Sequence, residues 1–273
     1  MSGFIKKQTL LSQDNFNSVS TGIPTLDTII QLQEGSLTCI YENENSFVHN
    51  TILQIFISQS LLLKIPVHAI SMDPKTLKHF DTVSSNLKEN ENIKSLLIAW
   101  RYQTLGTKHD LSMFSLREKR PLGEDVIVKT LDDLMEVLTT KSRCNFAIFS
   151  LFSPLFEGFT DSAHIHNVLF EIRKYCKLNR HCVFLSVPRF FIDQHISQYF
   201  DNVLSLDPIF TLPHESANYN SIMTILKLNS IARLRVNTLN SLKYGLILRS
   251  RKIIVEKIDI PPDESVGSCN NAF

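Results

Sequence analysis

The sequence predicts an α/β fold: a mostly parallel sheet flanked by helices, extended by antiparallel C-terminal strands, with no intact phosphate-binding loop. Three observations lead there. Apolar runs bounded by polar turns alternate with helical patterns as far as residue 207. After that point β-rich runs follow one another with no helix between them. The first strong strand is followed by Glu42, Asn43, Glu44 and Asn45, where a phosphate loop would place glycines.

Each element has its own reason. In "STGIPTLD" (20–27) Pro24 suits the first position of a short helix, because its fixed φ is already helical. "SLTCIYE" (36–42) reads as a strand and Thr51 to Leu63 as a buried helix, followed by a strand at "PVHAISM" (66–72). Residues 81–92 and much of 103–125 are polar and read as loops. "TLDDLMEVLTT" (130–140) is an amphipathic helix, "NFAIFSLF" (145–152) a strand, and 162–178 a longer helix with Val168, Leu169, Ile172, Tyr175 and Cys176 on one face. "HCVFLSV" (181–187) and "NVLSLD" (202–207) complete the parallel set, and "SIMTILKL" (221–228) and "LILRSRKIIVEKIDI" (246–260) supply the antiparallel strands. This gives an N-terminal extension (1–19), a single domain (20–262) and a flexible tail (263–273).

Composition narrows the function. With 273 residues, 43% of them hydrophobic, the chain can bury one substantial core. Lys plus Arg number 28 against 27 for Asp plus Glu, so polyanion binding has to come from a local patch. No apolar run is long enough for a membrane helix, and the first residues lack the features of a secretory signal, so an intracellular protein is expected. The 5 cysteines form no Cys-x-x-Cys pair, and Cys39 and Cys182 lie in strand-like apolar runs, which predicts buried, reduced thiols.

The phosphate loop fails on several counts. Its chemistry needs glycines that let backbone N–H groups curl round a phosphate, a lysine, and a hydroxyl for magnesium. No glycine occurs between Ser36 and Leu105, and no lysine between Ser36 and Leu63. Glu42 and Glu44 would repel a phosphate at a few Å by roughly 1 kcal/mol or more even when screened. Where a strand-end acid would organise magnesium after "NFAIFSLF", Ser150 and Ser153 stand. These absences predict that the chain alone does not hydrolyse ATP.

Taken together, "STGIPTLD" and "EGSLTCIYE" resemble the entry to RecA-like ATPase domains. "IAWRYQ" (98–103), "SLFSPLFEG" (150–158), "VLFEIRKYCKLNRHCVFLSVP" (168–188) and "LRSRKIIVEKIDIPPDES" (248–265) are similar, in the same order, to the PAXNEB family, the fourth subunit of the Elongator complex. The chain keeps only Gly35 where family members have a glycine-rich run before the first strand.

The resemblance implies a non-catalytic RecA-like subunit that joins two other RecA-like subunits in a heterohexameric accessory ring. That ring works with the Elongator catalytic subcomplex, binds tRNA and supports wobble uridine modification. The expected location is the cytoplasm, and the nucleus as well. No cofactor is assigned to this chain alone; ATP belongs, if anywhere, at ring interfaces. The rival reading is a self-sufficient RecA-like ATPase with an atypical nucleotide site.

Candidate interface or RNA contacts are Arg101, Arg189, Arg233 and Arg235. Arg101, within the Trp100–Arg101–Tyr102 cluster, either pairs with a carboxylate beside a packed Trp100 or lies at a ring interface or near a ligand. Arg189 follows a central strand and should emerge at the edge where ligands of open α/β sheets bind. Arg233 and Arg235 would share one face of a strand. All three are equally compatible with plain surface arginines. Arg249, Arg251 and Lys252 crowd an expected hairpin tip, and His164 and His166 diverge on a helix, so they do not form a metal pair.

Overall fold

The computed structural model describes residues 18–30, 32–42, 47–71, 80–83, 114–120, 127–128, 131–140, 142–153, 162–191, 194–207, 219–228, 243–249 and 252–258. The described strands in chain order are β1 (Ser18–Val19), β2 (Leu32–Gln33), β3 (Leu37–Tyr41), β4 (Val67–Ile70), β5 (Phe80–Val83), β6 (Phe114–Arg120) and β7 (Ile127–Val128). They continue as β8 (Asn145–Ile148), β9 (Cys182–Val187), β10 (Asn202–Asp207), β11 (Ser221–Lys227), β12 (Lys243–Arg249) and β13 (Lys252–Lys257). The helices are α1 (Pro24–Asp27), α2 (Val48–Leu62), α3 (Leu131–Leu138), α4 (Ser162–Asn179) and α5 (Gln194–Ser197).

Among the described residues the main sheet runs β13-β12-β11-β10-β3-β9-β8-β4-β7. From β10 to β7 every neighbouring pair is parallel, and β11, β12 and β13 are antiparallel. This is the parallel sheet with an antiparallel extension that the sequence predicts. The central strands are mostly apolar and buried nearly throughout because both faces are covered. Alternation then divides each strand between two cores. Ile40, Ala69, Ala147, Phe184 and Leu204 join Ile52, Leu53 and Phe56 of α2 on one face. Cys39, Tyr41, Phe146, Ile148, Leu185 and Val203 join Leu134 of α3 and Leu169, Ile172 and Cys176 of α4 on the other.

Several expectations change. The 145–152 strand stops at Ile148, because the chain then bends sharply, with Ser150 at φ 50 and Phe152 at φ 70. Within the stretches 81–92 and 103–125, residues 81–83 and 114–120 are strand, and β5 pairs antiparallel with β6. Their polar composition concealed this, because the ladder bonds join backbone groups far apart in sequence. β12 and β13 pair antiparallel with Arg249 opposite Lys252, the end of the expected hairpin, while Arg251 lies outside the described residues.

The N-terminal edge of the sheet is closed by a buried histidine. His181 Nδ1 accepts from the Cys144 N–H at 3.2 Å, and Nε2 lies 3.1 Å from the Leu138 carbonyl, so the neutral Nε2–H tautomer satisfies both. Burial lowers its pKa below the ordinary histidine value, against smaller opposing effects of backbone contacts at Leu138 and Thr140. A lowered folded-state pKa means that the unfolded chain takes up the proton first. This contribution to stability is full above about pH 6.5 and is lost as pH falls through that value toward the folded-state pKa. The urea midpoint should therefore fall between pH 7.5 and 5.5, and by less in His181→Asn.

Burial also pushes the Cys39 and Cys176 thiols up, and the Cys182 thiol to about 12. These groups remain protonated packing elements, as expected of thiols in apolar strands. No described helix is long and apolar enough to cross a membrane.

Candidate functional site

Because β10, β3, β9, β8 and β4 run in one direction, their C-terminal ends form a single edge, the ligand-binding edge of open α/β sheets. The chain leaving β3 remains tied to it, since the Glu42 N–H donates to the Val187 carbonyl at 3.0 Å. The Glu42 side chain then closes a relay across three strands. Ser186 Oγ donates to Glu42 Oε1 at 2.6 Å and accepts the Ser150 N–H at 2.8 Å. His49 Nε2, in the first turn of α2, lies 3.8 Å from the same Glu42 oxygen. Leu151 N–H donates to the Ser186 carbonyl at 2.8 Å, and Ser153 N–H to the Ser150 carbonyl at 2.9 Å.

The relay explains the bend after β8. Left-handed backbone costs a residue with a side chain about 1–2 kcal/mol. At Ser150 and Phe152 that cost is offset by the hydrogen bonds to Ser186 and by burial of the Phe152 ring. Ser186→Ala should therefore lower stability by about 2 kcal/mol in urea unfolding, because it leaves both the Ser150 N–H and the Glu42 carboxylate short of a buried partner. Ser186→Thr, which keeps the hydroxyl, should lose less.

The "STGIPTLD" signature forms a compact knot. Asp27 accepts from Ser20 Oγ at 2.5 Å and from the Thr21 N–H and Oγ1 at 2.7 and 2.6 Å, while Pro24 opens α1. Burial raises the Asp27 pKa, opposed by those same hydrogen bonds. Thr25 Oγ1 accepts the Val255 N–H at 3.1 Å, which ties the knot to the far antiparallel edge. In this chain the motif is structural punctuation, bracing the sheet rather than facing the Glu42 relay.

Of the candidate residues, Arg189 lies on a short 3-10 turn (Arg189–Phe191) directly after β9, at the expected edge. Its Nη1 is 2.7 Å from Asp207 Oδ1, and Asp207 Oδ2 accepts from Thr224 Oγ1 at 2.9 Å. The half-exposed guanidinium is thus anchored at the end of β10, where Thr224 of β11 holds the same carboxylate. Arg101, Arg233 and Arg235 lie outside the described residues, as do all of "IAWRYQ" and all but Ile258 of "IDIPPD". His164 and His166 are on α4, and the His166 ring stacks obliquely on Tyr199 at 5.7 Å.

Phe47 and Phe190 were not singled out by sequence reasoning. They are 79% and 64% exposed, the first just before α2 and the second beside Arg189. Both follow neighbouring central strands, so one edge carries two exposed rings beside the Glu42 relay. The signal was present in the sequence only as an aromatic immediately after each strand-end loop.

Comparison with known proteins fits this architecture. No curated protein sequence matches the chain. Among solved structures it is similar to the flagellar accessory protein FlaH from Methanocaldococcus jannaschii, with 14% identity, a TM-score of 0.52, and coverage of 89% of this chain and 99% of that one. At that identity the likeness concerns the fold, which is RecA-like. Residues 12–124 match the family model described as PAXNEB protein, a stretch that contains the Asp27 knot, β3 and the Glu42 turn.

Proposed function

We propose that this chain is a non-catalytic RecA-like subunit of the Elongator accessory ring, assembling with two other RecA-like subunits and supporting tRNA binding for wobble uridine modification. The observation that carries this reading is the Glu42 relay. A partly buried carboxylate sits at the strand end where a phosphate would need donors, and the nearby Ser186 hydroxyl and Ser150 N–H are already engaged within the chain. These residues do not fit a triphosphate: a negative group replaces the positive one, and Ser150 replaces a magnesium-organising acid. ATP bound by the ring would rely on neighbouring subunits for its phosphate contacts.

The exposed Phe47 and Phe190 support the assembly part of the reading, because two large apolar side chains on one edge are a surface that a neighbouring subunit covers. The PAXNEB match over residues 12–124 supports the Elongator part. Co-expression with the two other RecA-like Elongator subunits, followed by native mass spectrometry, should give a ring-sized assembly that Phe47→Asp with Phe190→Asp weakens. Recovery of the chain as a monomer overturns the reading. Tight ATP binding by the isolated chain, abolished by Glu42→Ala or His49→Ala, would establish the self-sufficient ATPase instead.

A further inference from the structure

Two carboxylates at the C-terminal edge of the sheet are used to different extents. Asp207 has both oxygens engaged, Oδ1 by Arg189 Nη1 at 2.7 Å and Oδ2 by Thr224 Oγ1 at 2.9 Å. Glu42 has one. Ser186 Oγ donates to Glu42 Oε1 at 2.6 Å, and His49 Nε2 approaches that same oxygen at 3.8 Å, beyond hydrogen-bond reach. Among the described residues nothing pairs with Glu42 Oε2.

The Glu42 carboxylate is also held in place. The backbone of Glu42 is tied to the Val187 carbonyl, and the Ser186 hydroxyl that fixes Oε1 is itself fixed by the Ser150 N–H at 2.8 Å. With its side chain 13% exposed, Glu42 keeps a small opening at the edge. A negative charge therefore stands there already oriented and partly desolvated, with one acceptor to offer, and an incoming cation gains more from it than from a carboxylate in open water. The single oxygen selects among cations. An arginine fork needs two oxygens side by side for its paired bonds, whereas a lysine ammonium is a point charge that one oxygen can hold. A metal ion needs several more oxygens than this one.

Phe47 supplies the rest of the surface. Its ring is 79% exposed, and the ring centroid lies 6.5 Å from that of His49, the residue beside the carboxylate. A lysine stem carries apolar methylenes that such a ring covers while the charged head reaches past it. The Arg189 guanidinium at the same edge is held by Asp207, so the counter-charge for Glu42 has to come from outside the described residues.

We propose that Glu42 Oε2 accepts the ammonium of a lysine from the adjoining subunit, that the lysine stem lies on Phe47, and that Ser186 is the positioning residue for this contact. The inference rests on the ring assembly proposed above and names the ion pair at that edge.

The test uses the full chain co-expressed with the two other RecA-like Elongator subunits. Zero-length carbodiimide cross-linking, which joins a carboxylate to an amine in direct contact, followed by peptide mass spectrometry, should link Glu42 to a lysine of a neighbouring subunit. Glu42→Gln keeps an oxygen for Ser186 and should unfold at the parent's urea midpoint, yet weaken assembly about tenfold or more and flatten its salt dependence. Glu42→Lys should abolish assembly, and changing the cross-linked lysine to glutamate should restore it. Phe47→Ala should weaken assembly with the salt dependence unchanged. Ser186→Ala should lower the yield of the Glu42 cross-link within the assembled ring, and Ser186→Thr, which keeps the hydroxyl, should recover it. Asp207→Asn should leave that cross-link in place.

Assembly of Glu42→Gln as complete as the parent's overturns the inference and leaves the proposed function standing, and so does a ring in which Glu42 cross-links to no lysine of a neighbour. Failure of the parent chain to assemble overturns the proposed function, and this inference falls with it.

Discussion

Asp201→Ala is expected to be the most destabilising polar substitution in the described structure, lowering the unfolding free energy by about 2–4 kcal/mol. The buried carboxylate just before β10 accepts the Leu37 N–H at 3.0 Å, at the start of the central strand β3. Removing it leaves a buried backbone donor unsatisfied, which costs about 1–3 kcal/mol. The contacts with Arg173 and Lys177 add less, because those side chains are substantially exposed and screened. The two contributions separate experimentally. Asp201→Asn keeps an oxygen for Leu37 and should cost about 1 kcal/mol, and the difference between the variants should persist at high salt, where exposed ion pairs are screened. Equal losses for Asn and Ala in urea unfolding would mean that charge, not the Leu37 hydrogen bond, dominates.

Phe184→Ala should cost about 3–5 kcal/mol. Phe184 is fully buried on β9, between β3 and β8, and its ring meets Phe56 of α2 edge-on at 5.5 Å and 81°. The substitution removes apolar contact from both sheet and helix, and packing that is fixed by two elements relaxes little into the cavity. Phe184→Leu, which refills most of the volume, should recover more than half of the loss. Thermal unfolding that reported the same midpoint for both variants would show that the site collapses instead of leaving a cavity.

The elements most legible in the sequence were those whose local pattern and final environment agree. β3, β9 and β10 are short, mostly apolar and buried on both faces, so their runs lie within a residue of the expected positions. The face of α4 marked by Leu169, Ile172 and Cys176 is the one that packs on the sheet. β5 and β6 were not legible, because backbone pairing between segments far apart, not a repeating apolar face, defines them. The end of β8 was misread for a related reason: Phe149 and Phe152 extend the apolar run, yet hydrogen bonds to Ser186 turn the backbone there.

The candidate site divides in the same way. The sequence by itself determined the fold class, the lack of glycine and lysine after β3, the position of Arg189 beyond β9 and the family segments, because each is written in residue type and short-range order. Only the tertiary structure decided that Glu42 accepts from Ser186, that Ser186 also holds Ser150, that Arg189 is anchored by Asp207, and that Arg173, Lys177 and Lys227 gather around the Asp201 turn. Those contacts join residues brought together by the order in which parallel strands lie in the sheet, and strand order is set by long-range packing rather than by any local stretch of chain.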